Sequence, residues 1–177
     1  MQLVKGEHIV TDRYVRVLDD EPIPDNVPVI VPAARFLADS EEFMAREAPT
    51  GVLWPNNRKV SELEPYIDRL ALIALILPTF KDGRAYTQAR QLRERYGFRG
   101  ELRATGDVLR DQFLFLLRSG FDAFEVKKDS DAEAYVAAIK RYSVFYQPTD
   151  DGRVSAFSRR LARARKPVVT AEKVVGP

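Results

Sequence analysis

After about two dozen residues the chain alternates short apolar runs with segments whose apolar residues recur every three to four positions, the pattern of βα units that build a parallel sheet. Val27 to Val31 is the first run, followed by a helix near Glu41 to Ala48, where Asp39 and Glu42 have capping-box spacing. Val52 to Trp54 reads as a second, brief strand. Ser61 with Glu64 repeats the capping spacing, and Leu63, Ile67 and Leu70 continue the apolar stripe. Leu70 to Leu77 is an unbroken aliphatic run that Pro78 stops, as expected of a central parallel strand covered on both faces. A helix from Arg84 to Tyr96 follows, with Gly97 as its C-terminal cap. Leu102 to Thr105 is the fourth strand and Asp107 to Ser119 the next helix. Phe121 to Val126 is the fifth strand, and Ser130 with Glu133 opens a last helix.

About five βα units are too few to close an eight-stranded barrel, so the pattern predicts an α/β fold: an open parallel sheet or a partial TIM-barrel-like arc. Ahead of them, Leu3 to Val10 and Tyr14 to Leu18 flank Thr11-Asp12-Arg13 and predict an N-terminal β-hairpin that covers one sheet edge. A second copy of the chain, in a homodimer, is one way to cover the other.

Composition narrows the chemistry. The chain has 177 residues, 45% of them hydrophobic, which suits one α/β domain over residues 1–150 followed by a basic tail over 151–177. The formal charge is only +2, yet residues 1–152 carry −4 and residues 153–177 carry +6. The density of Arg159, Arg160, Arg163, Arg165 and Lys166 allows an arm for nucleic acid or an acidic protein face; a solvated terminal helix or tail is the reading preferred here. There is no cysteine, so disulfides, thiolate zinc sites, iron–sulfur clusters and thiol nucleophiles are excluded. His8 is the single histidine, which excludes a multi-histidine metal site and gives no expectation of haem. Met1 to Val10 lacks the pattern of a secretory signal, and Leu70 to Leu77 spans about a third of a bilayer, so a cytoplasmic protein without a membrane segment is expected.

In parallel α/β sheets ligands collect outside the carboxyl ends of the strands, and those junctions are polar here. The third reads Pro78-Thr79-Phe80-Lys81-Asp82-Gly83-Arg84-Ala85-Tyr86, and the fourth runs from Arg103 through Thr105, Gly106 and Asp107 to Arg110, Asp111 and Gln112. The second offers Pro55-Asn56-Asn57-Arg58. Lys81, Gly83, Arg84, Tyr86, Arg103, Arg110 and Gln112 are therefore candidate anion or ligand contacts, and Asp82, Asp107 and Asp111 candidate proton-transfer groups. Asp82 and Asp107 have a competing role as helix N-caps.

Alternation along the fourth strand puts Glu101, Arg103 and Thr105 on one side, and a charge in a parallel strand must meet a wet crevice, a carboxylate or an anion. An ion pair with Glu125 or Asp107 competes with ligand binding there. Arg90, Arg93, Arg95 and Arg99 read as a solvated helix face and its exit. Tyr14, Trp54, Tyr66 and Tyr86 could stack on a flat ring, with core packing the rival reading for Trp54 and Tyr66. No G-x-x-x-x-G-K-[ST] or G-x-G-x-x-G pattern occurs, so nucleotide binding has no motif behind it.

The runs Phe80-Lys81-Asp82-Gly83-Arg84-Ala85-Tyr86, Ala89-Arg90-Gln91-Leu92-Arg93, Tyr96 to Ala104, Gly106 to Gln112 and Arg118 to Phe124 together resemble the bacterial family catalogued as domain of unknown function 934. The resemblance covers most of residues 1–147 and is densest over 78–125. Members of that family carry the label of oxidoreductases of sulfite reduction, so the resemblance implies a place in assimilatory sulfur metabolism. It implies an accessory protein that binds the sulfite reductase haemoprotein, a small oxyanion, or both; the alternative is a flavin-dependent oxidoreductase that donates electrons for sulfite reduction. Ser119 stands where many relatives have cysteine and Tyr14 where tryptophan is common, so a redox thiol at that place is not available to this chain. An electron carrier would need a flavin held without a recognisable motif.

Overall fold

A computed structural model describes residues 2–141 and 155–164. Eight strands form one mixed sheet: β1 (Gln2–Lys5), β2 (His8–Val10), β3 (Val15–Arg16), β4 (Val29–Pro32), β5 (Thr50–Trp54), β6 (Leu72–Leu77), β7 (Glu101–Gly106) and β8 (Ala123–Val126). Their order is β2-β1-β8-β7-β6-β5-β4-β3. From β3 to β8 each neighbouring pair is parallel, while β1 runs antiparallel to both β8 and β2. The helices are α1 (Ala33–Ala38), α2 (Ser40–Ala45), α3 (Arg84–Arg90), α4 (Phe113–Arg118), α5 (Asp129–Arg141) and α6 (Ala156–Ala164).

Strand alternation divides the sheet into two unlike faces. Val29, Val31, Val52, Trp54, Ile73, Leu75, Leu102, Ala104, Phe124 and Val126 face the helices and join Phe36, Phe43, Leu92, Phe113, Leu116 and Tyr135 in the main core. The opposite face carries only a small apolar cluster, Ile30, Leu72 and Ala74 with Tyr14 and Leu53 against it. The sheet curls into a half-barrel around that second face. In a flat sheet β3 and β8 would stand roughly 24 Å apart, five spacings of about 4.8 Å. Instead Arg16 of β3 meets Glu125 of β8 at 2.5 Å.

Several expectations are corrected. The sheet is mixed, not purely parallel. The N-terminal hairpin exists, but its turn is at Gly6 (φ +57°), between β1 and β2, rather than at Thr11-Asp12-Arg13. Val15–Arg16, expected within the hairpin's second arm, instead joins the far edge parallel to β4. Two short helices replace the one near 41–48. Val60–Tyr66, which contains Pro65, is a 3-10 helix. The helix after β6 widens into a π turn over Gln91–Arg95 and ends at Gly97 (φ +65°). The helix expected from Asp107 starts only at Phe113, after a 3-10 turn at Arg110–Gln112, because Leu109 is still extended (ψ 150°). Asp39 stands at the start of α2 without a side-chain cap bond. The 150/151 domain boundary and most of the basic tail lie outside the described residues; α6 covers part of that tail. Among the described residues no helix is long and apolar enough to cross a membrane.

Candidate anion-binding site

The residues expected to form one site are distributed over four places. On the β6–α3 loop, Asp82 Oδ1 accepts the Arg84 backbone N–H at 3.2 Å, and its two oxygens accept Arg84 Nε and Nη2 at 3.0 and 2.6 Å. The Arg84 fork holds the Asp82 carboxyl well below the usual carboxylate range, and Asp82 raises Arg84 in return. Gly83 stands between them as the residue before α3, and Lys81 is exposed. Behind this loop, Gln112 donates to the Phe80 carbonyl at 3.3 Å. Burial, helped by the charge of Asp111, pushes the Tyr86 phenol up. Arg110 and Asp111 border a separate groove of about 530 Å³ between α4 and α5, with Leu114, Ala134 and Ala138. Asp107 lies at the end of β7, 3.4 Å from Lys127 Nζ.

Arg103 is elsewhere, on the inner face of the half-barrel, with 1% of its side chain exposed. Its guanidinium meets Asp12 at 2.5 Å, Glu101 at 2.7 Å and Glu125 at 3.1 Å, and lies 5.6 Å from the centre of the Tyr14 ring. Arg16 and the Thr105 hydroxyl share Glu125, and Lys5 takes Glu101 at 2.8 Å. Three cations thus face three carboxylates. Burial disfavours the Arg103 charge, but the Asp12 hydrogen bonds and the nearness of Glu101 outweigh it and raise its pKa. Asp12 is lowered: burial alone would raise it, and the Arg103 and Tyr14 backbone hydrogen bonds reverse the sign. Of the two roles open to Arg103, ion pairing with Glu125 is realised.

A cavity of about 550 Å³ opens beside this network, bordered by Gln2, Ile9, Asp12, Tyr14, Arg16 and Glu125. Its charges are already balanced. The second hollow, about 530 Å³, differs in kind. It lies between the β5 exit and α3, and its lining includes Arg58, Lys59, Arg84 and Arg95 but no carboxylate. Glu62 and Asp82 hold Arg58 and Arg84 from outside, at 2.7 and 2.6 Å. Arg95 lies over Tyr96, 5.3 Å from the ring centre. Beneath, Arg58 covers Trp54 at 5.5 Å, and buried Gln88 donates to the carbonyls of Pro55 and Arg58 at 3.1 and 2.8 Å.

Only Arg84 of the expected ligand contacts reaches this hollow. Arg58 stands at a junction singled out in the sequence, Arg95 was expected on a solvated helix face, and Lys59 was missed. The sequence did hold a signal: Arg84, Thr87, Gln88, Gln91 and Arg95 recur at three and four positions, a polar stripe along one helix face. Arg93, expected on the solvated face, is instead a pin. It donates to the carbonyls of Phe98, Gly100 and Gly120 and pairs with Asp122 at 2.8 Å.

Among the described residues no group of three or more histidines, aspartates and glutamates is placed to hold a metal ion. What the arrangement offers chemically is a solvent-open cluster of guanidinium and ammonium donors at the carboxyl end of a parallel strand. Fold and site together define a curled α/β half-barrel with a candidate anion hollow at the strand exits. The chain belongs to the family described as bacterial protein of unknown function (DUF934), whose match spans residues 51–157, more than half of the sequence. No curated protein and no solved structure matches it.

Proposed function

We propose that the protein is an accessory component of assimilatory sulfite reduction that binds a small oxyanion in the hollow between β5 and α3 and works together with the sulfite reductase haemoprotein. The observation that supports this reading best is the lining: four cationic side chains, from the loop after β5, from α3 and from the π turn that follows it, and no carboxylate. Sulfite and sulfate present three or four oxygens to such donors, and the planar guanidinium fork matches pairs of them. The outer ion pairs do not oppose it, because solvent-exposed pairs hold their partners weakly and a bound anion can replace the carboxylate.

The test has two arms. In calorimetric titration at low ionic strength, sulfite binds the purified protein, and Lys59→Ala with Arg95→Ala weakens binding at least tenfold; no heat with either protein overturns the anion reading. In cells, deletion of the gene prevents growth on sulfite and sulfide restores it, whereas growth on every sulfur source overturns the sulfur assignment. A protein that purifies with bound flavin would replace the accessory reading with the electron-donor one.

A further inference from the structure

We propose that the oxyanion held between β5 and α3 is carried on an organic, hydroxyl-bearing body, as in a phosphate or sulfate monoester of a sugar. This rests on the hollow being an anion site, and it names the ligand class.

The first argument is size. A free tetrahedral or pyramidal oxyanion fills the space of about two waters, each about 30 Å³. The hollow has about 530 Å³, inside the range of about 300–1,000 Å³ typical of small-molecule pockets. The four cations also do not exhaust the wall. Thr87 and Gln91 are exposed along α3 and the π turn between Arg84 and Arg95, and half-buried Tyr96 also lines the hollow. A charged head at Arg58 and Arg84 therefore leaves a polar stretch of wall for a body to lie on.

The second argument is independent of size. Among the described residues six buried side-chain polar atoms have no hydrogen-bond partner, and two of them, Asn56 Nδ2 and Gln88 Oε1, belong to residues that line this hollow. An unpaired buried polar group is costly, so two in one lining call for a ligand or ordered water. Asn56 lies beside Asp82 and helps to keep it ionised, but its Nδ2 makes no aligned bond. Gln88 is 6% exposed and cannot simply turn over, because its Nε2 is committed to two carbonyls. One of the two atoms is a donor and the other an acceptor. A body of hydroxyl groups answers both, since each hydroxyl donates once and accepts twice. A fully deprotonated oxyanion such as sulfate only accepts and leaves Gln88 Oε1 unpaired.

The experiment titrates the full chain at low ionic strength with glucose 6-phosphate, glucose 6-sulfate, inorganic phosphate and sulfate. At least one ester binds tenfold or more tightly than its inorganic anion, and comparison of the two esters identifies the head group. Thr87→Val with Gln91→Ala, both exposed positions, abolishes that preference, so that ester and inorganic anion bind the variant within twofold of each other. Equal binding of ester and inorganic anion overturns this inference and leaves the anion site standing. Binding of neither removes both. A preference that survives the double variant also overturns the inference, because the body would then not lie on this wall.

Discussion

Arg103 shows how a single residue can be half legible. Its position on the face opposite Leu102 and Ala104, and its pairing with Glu125, follow from strand alternation and from neighbouring strands. Asp12 does not follow, because it lies 91 positions away and is delivered only by the curl of the sheet. The account makes Arg103 the keystone of a buried network, since its removal leaves Glu101 and Glu125 facing each other with far less countercharge. Arg103→Met should therefore lower unfolding stability by about 3–5 kcal/mol in urea titration; a loss below about 1 kcal/mol would show that the carboxylates do not depend on it. Asp12 adds a pH dependence. Its folded pKa is lowered, so its stabilising contribution is present above the unfolded value of about 3.9 and is lost as pH falls below it. The acid limb of the stability curve should be shallower in Asp12→Asn than in the parent, and an unchanged limb would exclude this pair as a source.

At the scale of elements, the strands were readable and the helix boundaries were not. Aliphatic runs buried on both faces leave little choice of conformation, so Val52 to Trp54 and Leu70 to Leu77 fall on β5 and β6. Helix ends depend on backbone detail that periodicity does not carry. The polar stretch after β7 kept helical spacing from Asp107 onward, yet Gly106 turns the chain with φ +94° and a Cβ there would stand 2.5 Å from the Leu77 carbonyl oxygen. The chain leaves β7 in a conformation that only glycine holds without strain. Gly106→Ala should cost about 2 kcal/mol or more, read as a lowered midpoint in thermal or urea unfolding. Gly83→Ala is the matching control, because a Cβ there meets nothing within 4 Å and φ is ordinary; it should be neutral or slightly stabilising. Equal losses at both positions would mean that the Gly106 conformation is not the cause.

At the scale of the whole molecule, residues 11–16 act as a strap from the hairpin on one edge of the sheet to β3 on the other, tied at Asp12 to Arg103 and at Arg16 to Glu125. That the strands from β4 to β8 run parallel was legible, because short apolar runs alternate with helical spacing along the chain. The strap was not, because a short polar segment next to a hairpin looks like its turn. The same separation explains the candidate site. The loops after β6 and β7 looked equivalent in sequence, but Arg103 points to the inner face while Arg84 faces the hollow beside α3. Amide hydrogen exchange should separate these layers: Arg16→Ala should speed exchange in β3 and its flanks while β5, β6 and β7 keep the protection of the main core. Uniform loss of protection would show that the strap and the core open together.

The central claim is that a ligand anion is held where Arg58, Lys59, Arg84 and Arg95 converge. Backbone amide shifts recorded while sulfite is added to isotope-labelled protein test it most directly. The account predicts saturable changes concentrated at residues 56–61 and 84–96, with the inner-face residues around Arg103 unmoved. Changes centred on Asp12, Arg16 and Glu125 instead, or none up to millimolar sulfite, would contradict it.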